Sequence, residues 1–379
     1  MNILDYVKHI KNETFTDEPF NAVDALIFAE MGYINFGESV KGDDLITLHK
    51  LVVDDDRAFY RGSYNAVANK KLFNLIKDTR RYGDVKVGYC YVIDDLTSQT
   101  QFAAVTFILP KGEAYISFRG TDTSINGIKE DLLIAYEEYI PGAKAAADYL
   151  EKLISIFNGN FYLGGHSKGG NLALYSAFTL DEKSTSRLIK AYSFDGPGFK
   201  GKIEDFENWE TILPKVDKFI TSNDMIGVIY NKIKTAKTVF STGKILGGHD
   251  LFTWQVDLDY NDFIYMQDRS VVSKQHEQAL MNWLETMSDS DKKLAVEVLC
   301  EFMGEAKTPL DLVSKALKNF SDAKSKWNNY SIAQKKRVKR IYLQLAKYYV
   351  IAYTPKILLS RKNKKAEENQ PKQIASKTR

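Results

Sequence analysis

Residues 163–171 read Leu-Gly-Gly-His-Ser-Lys-Gly-Gly-Asn and contain Gly-x-Ser-x-Gly as Gly165-His166-Ser167-Lys168-Gly169. The apolar run Phe161-Tyr162-Leu163 precedes the pattern and reads as a strand; Asn171-Leu172-Ala173-Leu174-Tyr175-Ser176-Ala177-Phe178 follows with helical patterning. Chance produces the bare pattern often enough that these flanks carry the weight. A serine at a sharp strand-to-helix turn is a candidate nucleophile. The turn exposes its hydroxyl, and the helix N-terminus behind it favours developing negative charge. The chemistry suggested is acyl transfer, with Ser167 attacking a carbonyl carbon.

A serine hydroxyl is a poor nucleophile until a base takes its proton, and the base needs an acid to orient it. In α/β-hydrolase architectures these arrive in the order serine, acid, histidine. The five histidines are His9, His49, His166, His249 and His276, and two of them follow Ser167. His276 lies in a polar, helix-like stretch and is expected on the surface. His249 sits in the glycine-flanked loop Gly247-Gly248-His249-Asp250 and is the expected base. His166 is expected to point away from the nucleophile and pack.

Two carboxylates compete for the acid. Asp224 follows a strand predicted over 216–220 and is preferred, its other reading being a cap for a helix over 225–233. Asp195, in Phe194-Asp195-Gly196-Pro197-Gly198, is the alternative acid or a turn former. The oxyanion hole is expected from the backbone N–H of Lys168, whose side chain that role leaves free, and from Thr121, through its N–H and hydroxyl. Thr121 lies in the loop Phe118-Arg119-Gly120-Thr121-Asp122. This chemistry calls for no metal and no cofactor.

The elements that must hold these residues are legible as patterns. Residues 1–80 read as mainly helical, with Ala22, Val23, Leu26, Ile27 and Ala29 at helical spacing. Strands are predicted over 85–92, 102–109 and 114–118, the last two joined by a hairpin turn at Pro110-Lys111-Gly112-Glu113. Helices over 128–139, 143–157 and 172–180 then alternate with strands over 160–163, 188–194 and 216–220. That alternation predicts a mostly parallel sheet with helices on both faces, the α/β-hydrolase fold, with helical extensions before and after. The expected divisions are a helical segment 1–84 packed on a core 85–260, a helical region 261–360 in which strand signals stop, and a disordered basic tail 361–379.

Phe118-Arg119-Gly120-Thr121, Gly-His-Ser-x-Gly-Gly, an Asn-Asp pair and a loop histidine together resemble the class 3 lipases. The likeness is closer to the bacterial Mbeg-like family, α/β-hydrolases catalogued as a domain of unknown function. Its marks are Phe20-Asn21-Ala22-Val23-Asp24, Gly165-His166-Ser167-Lys168-Gly169-Gly170-Asn171-Leu172-Ala173, Phe194-Asp195-Gly196-Pro197-Gly198-Phe199 and His249-Asp250-Leu251-Phe252-Thr253-Trp254-Gln255-Val256. The resemblance implies an α/β-hydrolase fold with Ser167 and His249 as nucleophile and base. It leaves the acid open, because members of that family carry serine where this chain has Asp224, and it implies no particular substrate.

Composition sets the compartment and the partners. Two cysteines, Cys90 and Cys300, give no disulfide framework, and the start of the chain lacks the basic and apolar regions of a signal peptide, so a cytoplasmic protein is expected. No run of 18 apolar residues occurs, so no membrane span is expected. The net charge of +3 hides an asymmetry: residues 261–379 carry 23 basic against 13 acidic side chains. Val338, Ile341, Tyr342, Leu345, Tyr348, Tyr349 and Ala352 share one helical face, with Lys335, Lys336, Arg337, Lys339, Arg340 and Lys347 around it. Such a helix either docks on the core with its cations in water or draws the protein to anionic membrane. No recognised nucleic-acid module accompanies the charge, which argues against nucleic acid. The expectation is a serine hydrolase of the lipase or esterase type, acting on a small-molecule or lipid carboxylic ester. The rival is a non-catalytic hydrolase-fold scaffold held at membranes by the basic helix.

Overall fold

The computed structural model describes residues 1–42, 44–53, 56–60, 65–122, 124–303 and 324–353; the tail expected over 361–379 lies outside them. The strands are β1 Ile46–Thr47, β2 Lys86–Asp95, β3 Thr100–Ile108, β4 Ala114–Phe118, β5 Phe161–His166, β6 Leu188–Phe194, β7 Val216–Thr221, β8 Lys237–Val239, β9 Val256–Asp257, β10 Asp262–Phe263 and β11 Tyr265–Met266. The helices are α1 Ile3–Ile10, α2 Ala22–Met31, α3 Arg57–Tyr60, α4 Ala66–Ile76, α5 Ile125–Leu133, α6 Pro141–Ile156, α7 Lys168–Phe178, α8 Glu182–Arg187, α9 Trp209–Ile212, α10 Val271–Thr286, α11 Asp289–Met303 and α12 Ile332–Tyr353.

Among the described residues nine strands form one sheet in the order β1-β2-β3-β4-β5-β6-β7-β8-β11. Strands β4 to β8 run parallel, and the pairs at both ends are antiparallel. All five residues of β4 are buried, as a strand covered on both faces requires. Side-chain alternation divides them. Val105, Phe107 and Tyr115 face a core that contains α2, whereas Ala104, Ile116 and Phe118 face one that contains α6 and α7. This sheet, with a serine between β5 and α7, is an α/β-hydrolase fold.

The helix α2 has no polar face because it is buried all round, from Val23 to Met31, its two acids Asp24 and Glu30 included. Asn21 caps it, its side chain accepting from the N–H groups of Val23 and Asp24. Asp24, fully buried, holds Arg81 at 2.5 Å and the Tyr82 hydroxyl at 2.6 Å, which fastens the N-terminal helices to the loop ahead of β2.

Three expectations are corrected. The helix predicted over 225–233 is a series of turns, because Asp224 folds its side chain back onto the N–H groups of Ile226 and Gly227 instead of opening a helix. Strand pairing does not stop near 259: β10 pairs with β9, and β11 closes one edge of the main sheet against β8. His276 is buried, its Nε2 on the Met225 carbonyl oxygen and its Nδ1 on the Tyr349 hydroxyl, so a residue read as solvated ties α10 to the β7 loop and to α12.

The apolar face of α12 packs on α10 and α11. Val338 and Ile341 are buried with Trp283, Leu284, Met287 and Leu294, and the Trp283 indole N–H donates to the Ile341 carbonyl at 3.0 Å. Of the stripe read from the sequence, Val338 and Ile341 are thus buried, and Tyr342, Leu345 and Tyr348 are half-buried against the same cluster. Among the described residues no helix is long and apolar enough to cross a membrane.

Candidate active site

Ser167 has φ 56° and ψ −129°, a conformation that costs a non-glycine residue roughly 1–3 kcal/mol and persists only where its surroundings impose it. Its N–H is tied to the Phe194 carbonyl on β6 at 2.9 Å. The flanking glycines are required by space: a Cβ at Gly165 or Gly169 would overlap the Phe118 carbonyl oxygen at the end of β4. Three strands and a helix thus converge on one serine at the N-terminus of α7, where the N–H groups of Gly170 and Asn171 donate to the Ser167 carbonyl and the N–H groups ahead of them have no acceptor within the helix.

His249 ends a short 3-10 turn, and the Trp254 indole N–H fixes that loop by donating to the Gly248 carbonyl at 3.0 Å. Its Nδ1 lies 2.6 Å from Oδ2 of Asp195. Asp195 is fully buried immediately after β6 at φ 50°, and its Oδ1 accepts the Thr221 N–H at 3.3 Å. The preferred acid is not the partner. Asp224 spends its Oδ1 on the N–H groups of Ile226, at 2.7 Å, and Gly227, at 2.8 Å, so the carboxylate that meets His249 comes from the end of β6 and not from the end of β7.

The candidate oxyanion donors lie beside the serine, with two differences from expectation. The Thr121 hydroxyl donates to Oδ2 of Asp131 at 2.5 Å, which leaves the Thr121 N–H as the group free to serve an oxyanion. Burial pushes the Asp131 carboxyl up to about 6, against the pull of Lys168 and Thr121. The Lys168 side chain is anything but unconstrained. Its Nζ is buried and donates to the Gln101 carbonyl at 2.7 Å, to Gln101 Oε1 at 2.5 Å and to Glu130 Oε2 at 2.6 Å. Glu130 also accepts from the N–H groups of Gln101 and Gly142. Removing one member of a buried, hydrogen-bonded ion pair strands the other, so Lys168→Met should cost about 3–5 kcal/mol of stability. Urea unfolding would read it, and a loss below 1 kcal/mol would mean that the pair does not hold α7 in place.

His166 does not turn away from the site. Its ring centroid lies 4.4 Å from that of His249, its Nδ1 meets the Tyr33 hydroxyl at 2.9 Å, and burial beside His249 holds it well below the usual imidazole range. It gives the His249 ring a neutral neighbour to lie against. Asp131, Tyr33 and this tilted ring contact were invisible to sequence reasoning, because each partner arrives from a distant element.

Ser167, His249, His166, Lys168, Thr121 and Asp131 all line one cavity of about 750 Å³. Away from these groups its walls are mostly apolar, with Ile128 and Leu132 from α5, Trp283, Leu284 and Met287 from α10 and its end, and Leu299 from α11, and with Glu30, Asn65, Asn171, Asp250 and Lys292 among the polar exceptions. Sequence patterning marked α10 and α11 only as helical; it carried no sign that they roof the serine. Among the described residues no group of three or more His, Cys, Asp or Glu side chains could hold a metal.

The sequence pattern of the Mbeg1-like family matches residues 76–301, which takes in the serine, both aspartates and the histidine. The chain belongs to the Mbeg1-like family. No curated protein matches this Mbeg1-like chain. Among solved structures it is similar to a fungal lipase, at 11% identity with 66% of this chain and 87% of that one covered and a TM-score of 0.38. It is also similar to a mutant form of MDLA from Penicillium cyclopium, at 12% identity, 64% and 83% coverage and a TM-score of 0.37. A third is lipase II from Rhizopus niveus, at 14% identity, 50% and 79% coverage and a TM-score of 0.32. At such scores the likeness adds nothing to the fold, which the strand order and the turn at Ser167 define.

Proposed function

We propose that this protein is a serine hydrolase of the lipase or esterase type, cleaving carboxylic esters through an acyl-enzyme. One observation carries the reading: a serine held at φ 56° ahead of a helix lines the same apolar cavity as a histidine whose Nδ1 lies 2.6 Å from a buried carboxylate. Ser167 Oγ attacks the ester carbonyl carbon, and His249 Nε2 takes the hydroxyl proton and returns it to the leaving alkoxide. Asp195 keeps the proton of the neutral imidazole on Nδ1, which leaves Nε2 free as the base, and stabilises the imidazolium that forms. The N–H groups of Lys168 and Thr121 receive the oxyanion, each donor contributing on the order of 10²–10³ in rate. Water then repeats the sequence on the acyl-Ser167 ester and releases the acid.

The apolar walls favour a substrate whose acyl part is hydrocarbon. A fluorophosphonate probe tests the reading without knowledge of the substrate, since it reports an activated serine. Covalent labelling at Ser167, located by mass spectrometry, is the expected result at neutral pH. Folded protein that stays unlabelled would return the scaffold reading to first place.

A further inference from the structure

Directly behind the His249–Asp195 pair lies a second carboxyl with an uneven set of partners. Asp224 is 1% exposed. Both of its N–H donors, from Ile226 and Gly227, fall on Oδ1. Oδ2 is buried and receives no N–H among the described residues. It faces the Asp195 carboxyl: a Cβ built on Gly227 would meet Asp224 Oδ2 at 2.9 Å and Asp195 Oδ1 at 3.0 Å, so the two carboxyls crowd the same side of that glycine. Two buried carboxyls set side by side repel when both are ionised, and a proton on one of them turns the contact into a hydrogen bond.

The partners decide which one. Asp195 has a donor on each oxygen, Thr221 N–H on Oδ1 and His249 on Oδ2. Asp224 has one bare oxygen. Burial and the neighbouring Asp195 both push the Asp224 carboxyl well above the usual carboxylate range. The adjoining cation, Lys218 on β7, is buried with no hydrogen-bond partner for its Nζ, and burial pushes it down to about 8. This single lysine is hydrogen-bonded to neither carboxyl. The remaining groups around the cluster are Glu277, Ser273 and His276 from α10, His166 from β5 and Asp131 from α5.

We infer that Asp224 is a positioning residue that works protonated: its Oδ2–H donates to Asp195, and so holds the carboxylate that orients His249. The inference rests on the triad proposed above and adds to it a fourth member that touches neither substrate nor reacting atoms. Asparagine reproduces such a residue group for group, with Oδ1 accepting from Ile226 and Gly227 and Nδ2–H donating to Asp195. Leucine has similar bulk and no donor.

The test is the NMR titration of the His249 ring in wild type, Asp224→Asn and Asp224→Leu, which reads the hydrogen bond whether or not the protein turns over an ester. Loss of a donor leaves Asp195 a stronger partner for the imidazolium, so Asp224→Leu should move the titration midpoint up by about one unit while Asp224→Asn leaves it in place. An ionised Asp224 gives the opposite sign, since both variants then delete a negative charge and both move the midpoint down. Either that downward shift or two unmoved midpoints would overturn the inference. Ester turnover should follow the same order, with Asp224→Asn restoring most of a loss of about tenfold seen in Asp224→Leu. Thermal unfolding of both variants verifies that each remains folded. Failure of the parent reading looks different: wild-type protein that takes no fluorophosphonate label, with the His249 shifts still to be read.

Discussion

Ser167→Ala is expected to abolish ester hydrolysis, with a loss on the order of 10⁶ in turnover, and to leave the fold in place. The substitution removes the Oγ that attacks and nothing that packs, because the N–H bond to Phe194 and the glycines on either side are untouched. Ser167→Gly should be equally inactive yet more stable, since glycine adopts φ 56° without the strain that serine bears. A fluorogenic short-chain ester reads the activity, and thermal unfolding reads the stability. Residual hydrolysis above about 1% of wild type in Ser167→Ala would remove the serine from the chemistry, since the expected loss is four orders deeper.

The second large effect belongs to Asp195. Asparagine fits the same space and tolerates φ 50°, so Asp195→Asn should fold. It should nonetheless lower turnover by roughly 10⁴, because an amide facing Nδ1 favours the wrong tautomer of His249 and leaves the imidazolium unpaired. Asp224→Asn provides the contrast, with little loss expected. Turnover of the two variants measured side by side, over the whole pH range in which the protein stays folded, separates the acids. Were Asp224→Asn the severe variant and Asp195→Asn the mild one, the 2.6 Å contact between Asp195 and His249 would be structural only.

These two expectations mark the boundary of what the chain discloses as text. The serine and the histidine stood out as candidates because the pattern that marks them is local: glycines two residues either side of Ser167, and glycines ahead of His249. The parallel sheet was legible for the same reason, as apolar runs alternating with helical periods. The acid was not. Asp195 and Asp224 each follow a strand and each sits in a turn, and what separates them is which turn reaches a loop 54 or 25 residues further on. Lys168 and Glu130, 38 residues apart, form their pair only once α5 and α7 are assembled. His276 looked solvated because its neighbours in sequence are polar, whereas burial comes from Tyr349, 73 residues away. Local rules reach as far as a turn or a cap, and beyond that the partner has to be seen.

The roof over the cavity separates two jobs along the chain. The groups assigned to bond making and breaking ride on loops after β4, β5, β6 and β8, whereas much of the hydrocarbon wall belongs to α10 and α11, which lie outside the main sheet and are braced from behind by α12. Side chains such as Leu284, Met287 and Leu299 can therefore be enlarged or trimmed without a change to any backbone that positions Ser167. On the reading proposed above, preference for acyl length would reside in side chains at the end of α10 and on α11, while Ser273 and His276 earlier in α10 keep their hold on the loop after β7.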